Sequence, residues 1–126
     1  MHNKVILTGR FTHDPELRQT QTGVLVCNFS LAVQRKFNRH TAETATDFIN
    51  VETWNGAADF VSKYFHKGDL VDIEGDLRSS HWDDSDGKPH TRIYVRATSV
   101  DFAPINGRKE FLRERPTSEE AQYWEQ

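Results

Sequence analysis

The sequence predicts an all-β domain with one helix: a five-stranded antiparallel barrel with the helix between strands three and four. Three observations predict it. Apolar residues alternate with polar ones over most of residues 3–103, the period of a half-buried strand. The period turns helical at one place, residues 57–67. Turn signals at Asp14-Pro15, Gln21-Thr22-Gly23 and Ser85-Asp86-Gly87 separate the segments. The chain has 126 residues, 36% hydrophobic and 28% charged, which suits one soluble domain and leaves no room for two cores.

The elements follow in order. Residues 3–11 read as the first strand, with Val5, Ile6 and Leu7 apolar. Residues 16–20 are polar and ambiguous. Residues 24–37 form a long second strand, in which Phe29, Leu31 and Val33 alternate with Asn28, Ser30 and Ala32. Residues 38–46 are polar and expected to form a mobile loop. In the third strand, 47–55, Ile49, Val51 and Thr53 fall on one face and Phe48, Asn50, Glu52 and Trp54 on the other. Ala57, Phe60, Val61, Tyr64 and Phe65 then recur at helical spacing, with Asn55 as N-cap and Gly68 as terminator.

The fourth strand, 69–82, sets Val71, Ile73 and Leu77 opposite Asp72, Glu74 and Arg78. The fifth, about 90–103, sets Ile93, Val95 and Ala97 opposite Arg92, Tyr94 and Arg96. This order is that of an OB-fold. A split α+β sheet shares it. We expect residues 1–105 to be the folded domain and 106–126 a short polar tail, partly helical from a Thr117-Ser118-Glu119-Glu120 capping box.

Composition narrows the function classes. No apolar run approaches the roughly 20 residues of a membrane span, and the N-terminus lacks the apolar core of a signal peptide. The single Cys27 cannot form an internal disulfide, so a reducing cytoplasm is expected. A net charge of −3 argues against a uniformly basic nucleic-acid binder. A nucleic-acid site therefore requires charge segregated onto one face.

Four aromatics stand where a core has little use for them. Phe37 ends the second strand beside Arg35, Lys36 and Arg39. Phe48 and Trp54 lie on the polar face of the third strand, about 20 Å apart. Trp82 stands at the tip of the fourth, beside His81 and a run of aspartates. Aromatic rings stack bases of any identity. Lys4, Arg35, Lys36, Lys67 and Arg78 are the candidate phosphate contacts.

These residues carry a resemblance. NKVILTGRFTHDPELR, TDFINVETWN and YFHKGDLVDIEGDLRSSHW are similar to blocks of the bacterial single-stranded DNA-binding protein family, over residues 3–103. The resemblance implies an OB-fold that stacks single-stranded DNA on Phe37, Phe48, Trp54 and Trp82 and assembles as a homo-oligomer, a tetramer in typical members. It implies a cytoplasmic, nucleoid-associated role in replication, recombination or repair, with no cofactor and no catalysis. Asn50, Gly56, Ser80 and His81 stand where the family often has Lys or Arg. The acidic tip through which the family recruits other proteins is not matched by SEEAQYWEQ, so protein partners do not follow from the resemblance.

Other readings have less behind them. His81, Asp83, Asp84, Asp86 and His90 surround one hairpin, but an EF-hand would need its first ligand at Trp82 and its last at Ile93. No HExxH, paired CxxC, Walker or GxSxG motif is present. Cys27 reads as a buried strand thiol. The alternatives are an OB-fold protein-interaction module of a replication or primosome complex, and an RNA binder.

Overall fold

The computed structural model describes residues 1–36, 39–40 and 45–103. Phe37 and the tail 106–126 lie outside the described residues. The elements are β1 (Val5–Phe11), β2 (Glu16–Gln19), β3 (Leu25–Gln34), β4 (Thr46–Trp54), α1 (Asn55–Tyr64), β5 (Leu70–Asp83) and β6 (Pro89–Phe102). The sheet order is β1-β5-β6-β4-β3-β2, and β1 also pairs with β3 through Arg10↔Ala32 and Phe11↔Leu31. That last pairing closes a ring of five strands, the barrel expected from the element order, and not the split α+β sheet that shares that order. The polar stretch 16–20 contributes β2, a fully exposed strand hung on β3. Counting β2, the helix lies between the fourth and fifth strands; within the ring it lies between the third and fourth.

One junction of the ring is not antiparallel. β4 meets β6 in parallel through Val51↔Val95 and Glu52↔Arg96. The cause is the connection: after β4 the chain crosses through α1, and the β5–β6 hairpin is laid between β4 and β1. Its second strand therefore runs in the direction of β4.

Inward residues build the core that α1 completes. Phe11, Leu31, Val51, Ile73, Val95 and Val100 come from the ring, and Ala58, Phe60 and Val61 from the helix. Phe65 follows the helix and stacks between Phe11 at 5.1 Å and Phe102 at 4.8 Å. Such offset aromatic pairs add about 0.5–1.5 kcal/mol each to the burial itself. Cys27 lies in this core, and burial pushes its thiol up to about 11.

The helix start departs from the sequence expectation. Trp54 holds the cap position with extended backbone and no side-chain cap bond. Asn55 is the first helical residue, at φ 54. A left-handed residue costs Asn less than most, because its short side chain bonds locally, and at that position its side chain caps nothing. Gly68 does not end the helix either. Phe65 is the C-cap, and Gly68, at φ +90, shapes the turn that returns the chain to β1, its N–H donating to the Phe11 carbonyl.

Two glycines matter to the site. Gly75 sits at a register shift between Glu74 and Gly75, where β5 and β6 cross closely. A Cβ there would fall 2.0 Å from the carbonyl oxygen of Arg96. Gly87, at φ +79, closes the β5–β6 hairpin, whose tip is tied by Asp84 accepting the N–H groups of Asp86 and Lys88 at 2.9 Å. Beyond the Leu77↔Val95 pair the two strands run on as an arm, past the point where the core fills its inner face.

Candidate nucleic-acid interface

Strand pleat and register put the interesting side chains on one outward surface. Asn28, Glu52, Arg96 and Asp76 form a row across β3, β4, β6 and β5. From that row, alternate residues on each strand share its face. On β4 these are Asn50 and Phe48 toward one end and Trp54 toward the other. On β6 they are Tyr94, Arg92 and His90, opposite Arg78, Ser80 and Trp82 on β5.

Phe48 is 69% exposed and Trp82 48% exposed. An aromatic ring left in water on a sheet that has a core elsewhere is unusual, because large exposed apolar groups mark binding surfaces. The parity reading of Phe48 agrees with this exposure. Trp82 stacks on His90 with ring centroids 5.4 Å apart and an interplanar angle of 17°. His90 Nε2 meets Asp84 Oδ2 at 2.8 Å. That bond, with the backbone N–H of Lys88, holds the Asp84 carboxyl below its ordinary value.

Trp54 is half-buried and held from two sides. Its indole N–H donates to Glu52 Oε1 at 2.6 Å, and the Arg96 guanidinium lies over the ring at 4.6 Å. Glu52 is only 7% exposed. A carboxylate that far out of water needs partners; its other oxygen faces Arg92 Nη1 at 3.9 Å. Arg92 lies in turn over Tyr94 at 4.4 Å. Trp54 and Arg92 thus partner one acid, and Arg96 and Tyr94 join them through the ring contacts. Sequence reasoning placed Arg92, Tyr94 and Arg96 on one face but did not draw them into the site, and it gave Glu52 no role. The signal was available: all three β6 residues share the parity that singles out Phe48 and Trp54.

The candidate phosphate contacts are dispersed. Arg35 is exposed and makes a two-pronged bond to Asp47, both contacts at 2.9 Å. The Arg35 bond holds the Asp47 carboxyl down, and the arginine is correspondingly raised. Arg78 Nε bonds Asp76 Oδ1 at 2.6 Å with the same pair of shifts. Lys4 Nζ meets Glu74 at 2.6 Å on the outward side of β1 and β5. Lys36 is exposed at the end of β3, beside Arg35. Lys67 lies before β5 begins, at the opposite end of that strand from Trp82. The structure thus brings Arg78 onto the aromatic face and separates Lys67 from Trp82. Among the described residues, no group of three or more His, Cys, Asp or Glu side chains is placed to hold a metal ion. Asp84 and His90 bond each other at the tip, and His81 bonds Thr91.

A closed five-stranded ring with its helix at this point in the order, and aromatics on the outward face, matches a known family. The model of the single-strand binding protein family covers residues 2–103. The chain belongs to this family. It is 41% identical over 107 residues to the single-stranded DNA-binding protein of Halalkalibacterium halodurans, covering 85% of this chain and 64% of that protein. It is 44% identical over 111 residues to the Bacillus cereus protein of the same name, with the same coverage. It is 41% identical over 108 residues to single-stranded DNA-binding protein A of Bacillus subtilis, covering 85% and 63%. The chain therefore spans less than two-thirds of the length of these relatives. The family match ends where the described barrel ends, at residue 103.

Proposed function

We propose that the chain binds single-stranded DNA without reading its sequence, stacking bases on Phe37, Phe48, Trp54 and Trp82 and holding phosphates with Lys4, Arg35, Lys36, Lys67 and Arg78. The observation that carries this is the exposed aromatic face on a barrel of the single-strand binding protein family, with Phe48 and Trp82 presented to water. Each stacked base is worth about 1–3 kcal/mol. Trp54 is half-buried, and a guanidinium over a ring is worth about 0.5–1 kcal/mol when exposed and about 2 when desolvated. A base that stacks on Trp54 takes the place of Arg96, and the loss of that contact is offset by a phosphate that the displaced arginine can then meet.

The action is passive coating of exposed strands during replication, recombination or repair, in the cytoplasm and on the nucleoid. It calls for no cofactor and no chemistry. No helix among the described residues is long and apolar enough to cross a membrane.

We also propose that the working form is a homo-oligomer, a tetramer as in typical family members. Ile6, Leu77 and Ile93 are exposed, and Leu77 and Ile93 lie on the inner face of the β5–β6 arm, which the core does not reach. A second copy supplies the apolar surface they lack. Sedimentation equilibrium of wild type against Leu77→Asp tests it: a smaller assembly for the variant is expected, and a monomeric wild type overturns it.

The central test is quenching of tryptophan fluorescence by oligo-dT at low and high salt, with matched duplex as control. Strong quenching by the single strand that weakens with salt is expected. No response to oligo-dT overturns the reading.

A further inference from the structure

We infer that the outward row of β6 is part of the single-strand path, with Tyr94 as a further stacking residue and Arg92 and Arg96 as further phosphate contacts. This deepens the proposed function and rests on it.

The argument is first topological. Phe48 and Trp54 stand on β4 and Trp82 on β5, and β6 lies between those two strands. Neighbouring strands are about 4.8 Å apart. A strand of DNA that touches both sets of rings on this surface must cross β6, about 5 Å from either side. What it crosses is Arg92, Tyr94 and Arg96, in register with Ser80, Arg78 and Asp76.

The chemistry of that row then fits a nucleic acid. It alternates cation, ring, cation, the composition that tracks a phosphate backbone while stacking bases. In the free protein the row is held in reserve. Arg92 covers Tyr94 at 4.4 Å, and Arg96 covers Trp54 at 4.6 Å. Glu52 binds the Trp54 indole N–H and faces Arg92, so one carboxylate fixes the ring and balances the cations. An arriving strand offers bases to the rings and phosphates to the arginines. A base that stacks on either ring takes the guanidinium's place, and the phosphate contact the arginine gains offsets the contact it loses. The Glu52 bond to the indole edge survives, because it lies in the ring plane and leaves both faces of the ring to other groups.

The test uses the full chain and oligo-dT. Wild-type binding is measured first, since its absence defeats the proposed function itself and not this extension. Arg92→Gln and Arg96→Gln are each expected to flatten the dependence of log K on log salt by about 0.7. Tyr94→Ala is expected to weaken binding roughly 5- to 150-fold, and Tyr94→Phe to preserve it. A 5-iodouracil-substituted oligonucleotide, irradiated on the wild type, is expected to crosslink to Tyr94. This last readout does not depend on any variant folding. If wild type binds and Trp82→Ala weakens it, while the β6 variants bind as wild type at every salt and no crosslink maps to β6, the path does not cross this row and the inference fails.

Discussion

Replacing Phe48 by Ala separates a binding ring from a core ring, because the two have opposite energetic signatures in this fold. Phe48 is 69% exposed, while Phe11, which registers through Leu31 with Phe48's neighbour Ile49, is 2% exposed. Fully burying a phenylalanine is worth about 1.5–3 kcal/mol. Phe48 keeps about three-tenths of that burial, so its loss costs about 0.5–1 kcal/mol of stability. In a domain of this size the melting temperature falls by a few degrees. Phe11→Ala opens a cavity among Phe29, Phe65 and their neighbours and costs about 3–5 kcal/mol. For DNA the order reverses: Phe48→Ala weakens oligo-dT binding by about 1–3 kcal/mol. Urea unfolding gives the first quantity, and titration of the folded variant with oligo-dT, followed on the remaining tryptophans, gives the second. A Phe48→Ala protein as destabilised as Phe11→Ala refutes the outward placement. A Phe48→Ala protein that is stable and binds with wild-type affinity refutes the stacking role.

Three further predictions follow from the same geometry. Asp47→Asn frees Arg35 from its two-pronged pair and is expected to tighten oligo-dT binding at low salt and steepen the salt slope by about 0.7; an unchanged slope removes Arg35 from the phosphate track. Gly75→Ala drives a methyl into the Arg96 carbonyl and is expected to lower the melting temperature severely; a near-wild-type melt means the close crossing at the bulge is wrong. Cys27 is expected to stay unlabelled by a thiol reagent at pH 8 until the chain is unfolded. Its pKa rises on folding from 9.0 to about 11, so folding favours the protonated thiol. That contribution is whole below pH 9 and is lost as pH rises from 9 toward 11. The fall in urea midpoint over that interval is expected to be smaller in Cys27→Ala.

Much of the fold was legible because most of it obeys a period of two. Val51 and Val95 point in, Phe48 and Arg96 point out, and parity alone assigns them. The strand β2 was not legible, since Glu16–Gln19 is exposed on every residue and leaves no alternation to read. The parallel β4–β6 junction was also hidden, because pairing direction depends on where the helix returns the chain. The helix cap was misread for a local reason. Asn55 is a good N-cap by composition, but here it is spent on a left-handed backbone. At the site, isolated aromatics drew attention and the arginines of β6 did not. An arginine on a polar face is unremarkable until the register sets it over a ring. Glu52 was invisible for a related reason: an acid on an outward face is expected to be solvated, and only the closed sheet brings Trp54 and Arg92 around it.

The β5–β6 pair serves two masters, and the Leu77↔Val95 pair, just past the Gly75 bulge, is the border between them. On one side of it, each inward residue is a stave of the barrel, and a change there is felt by the whole molecule. On the other side, past the Leu77↔Val95 pair, the tip from Ser80 to His90 bonds within the hairpin and carries no core residue. Substitutions, or even added residues, in the arm can retune how far Trp82 reaches without a toll on the barrel. The tip of the hairpin can therefore change in length while the barrel that bears it stays the same.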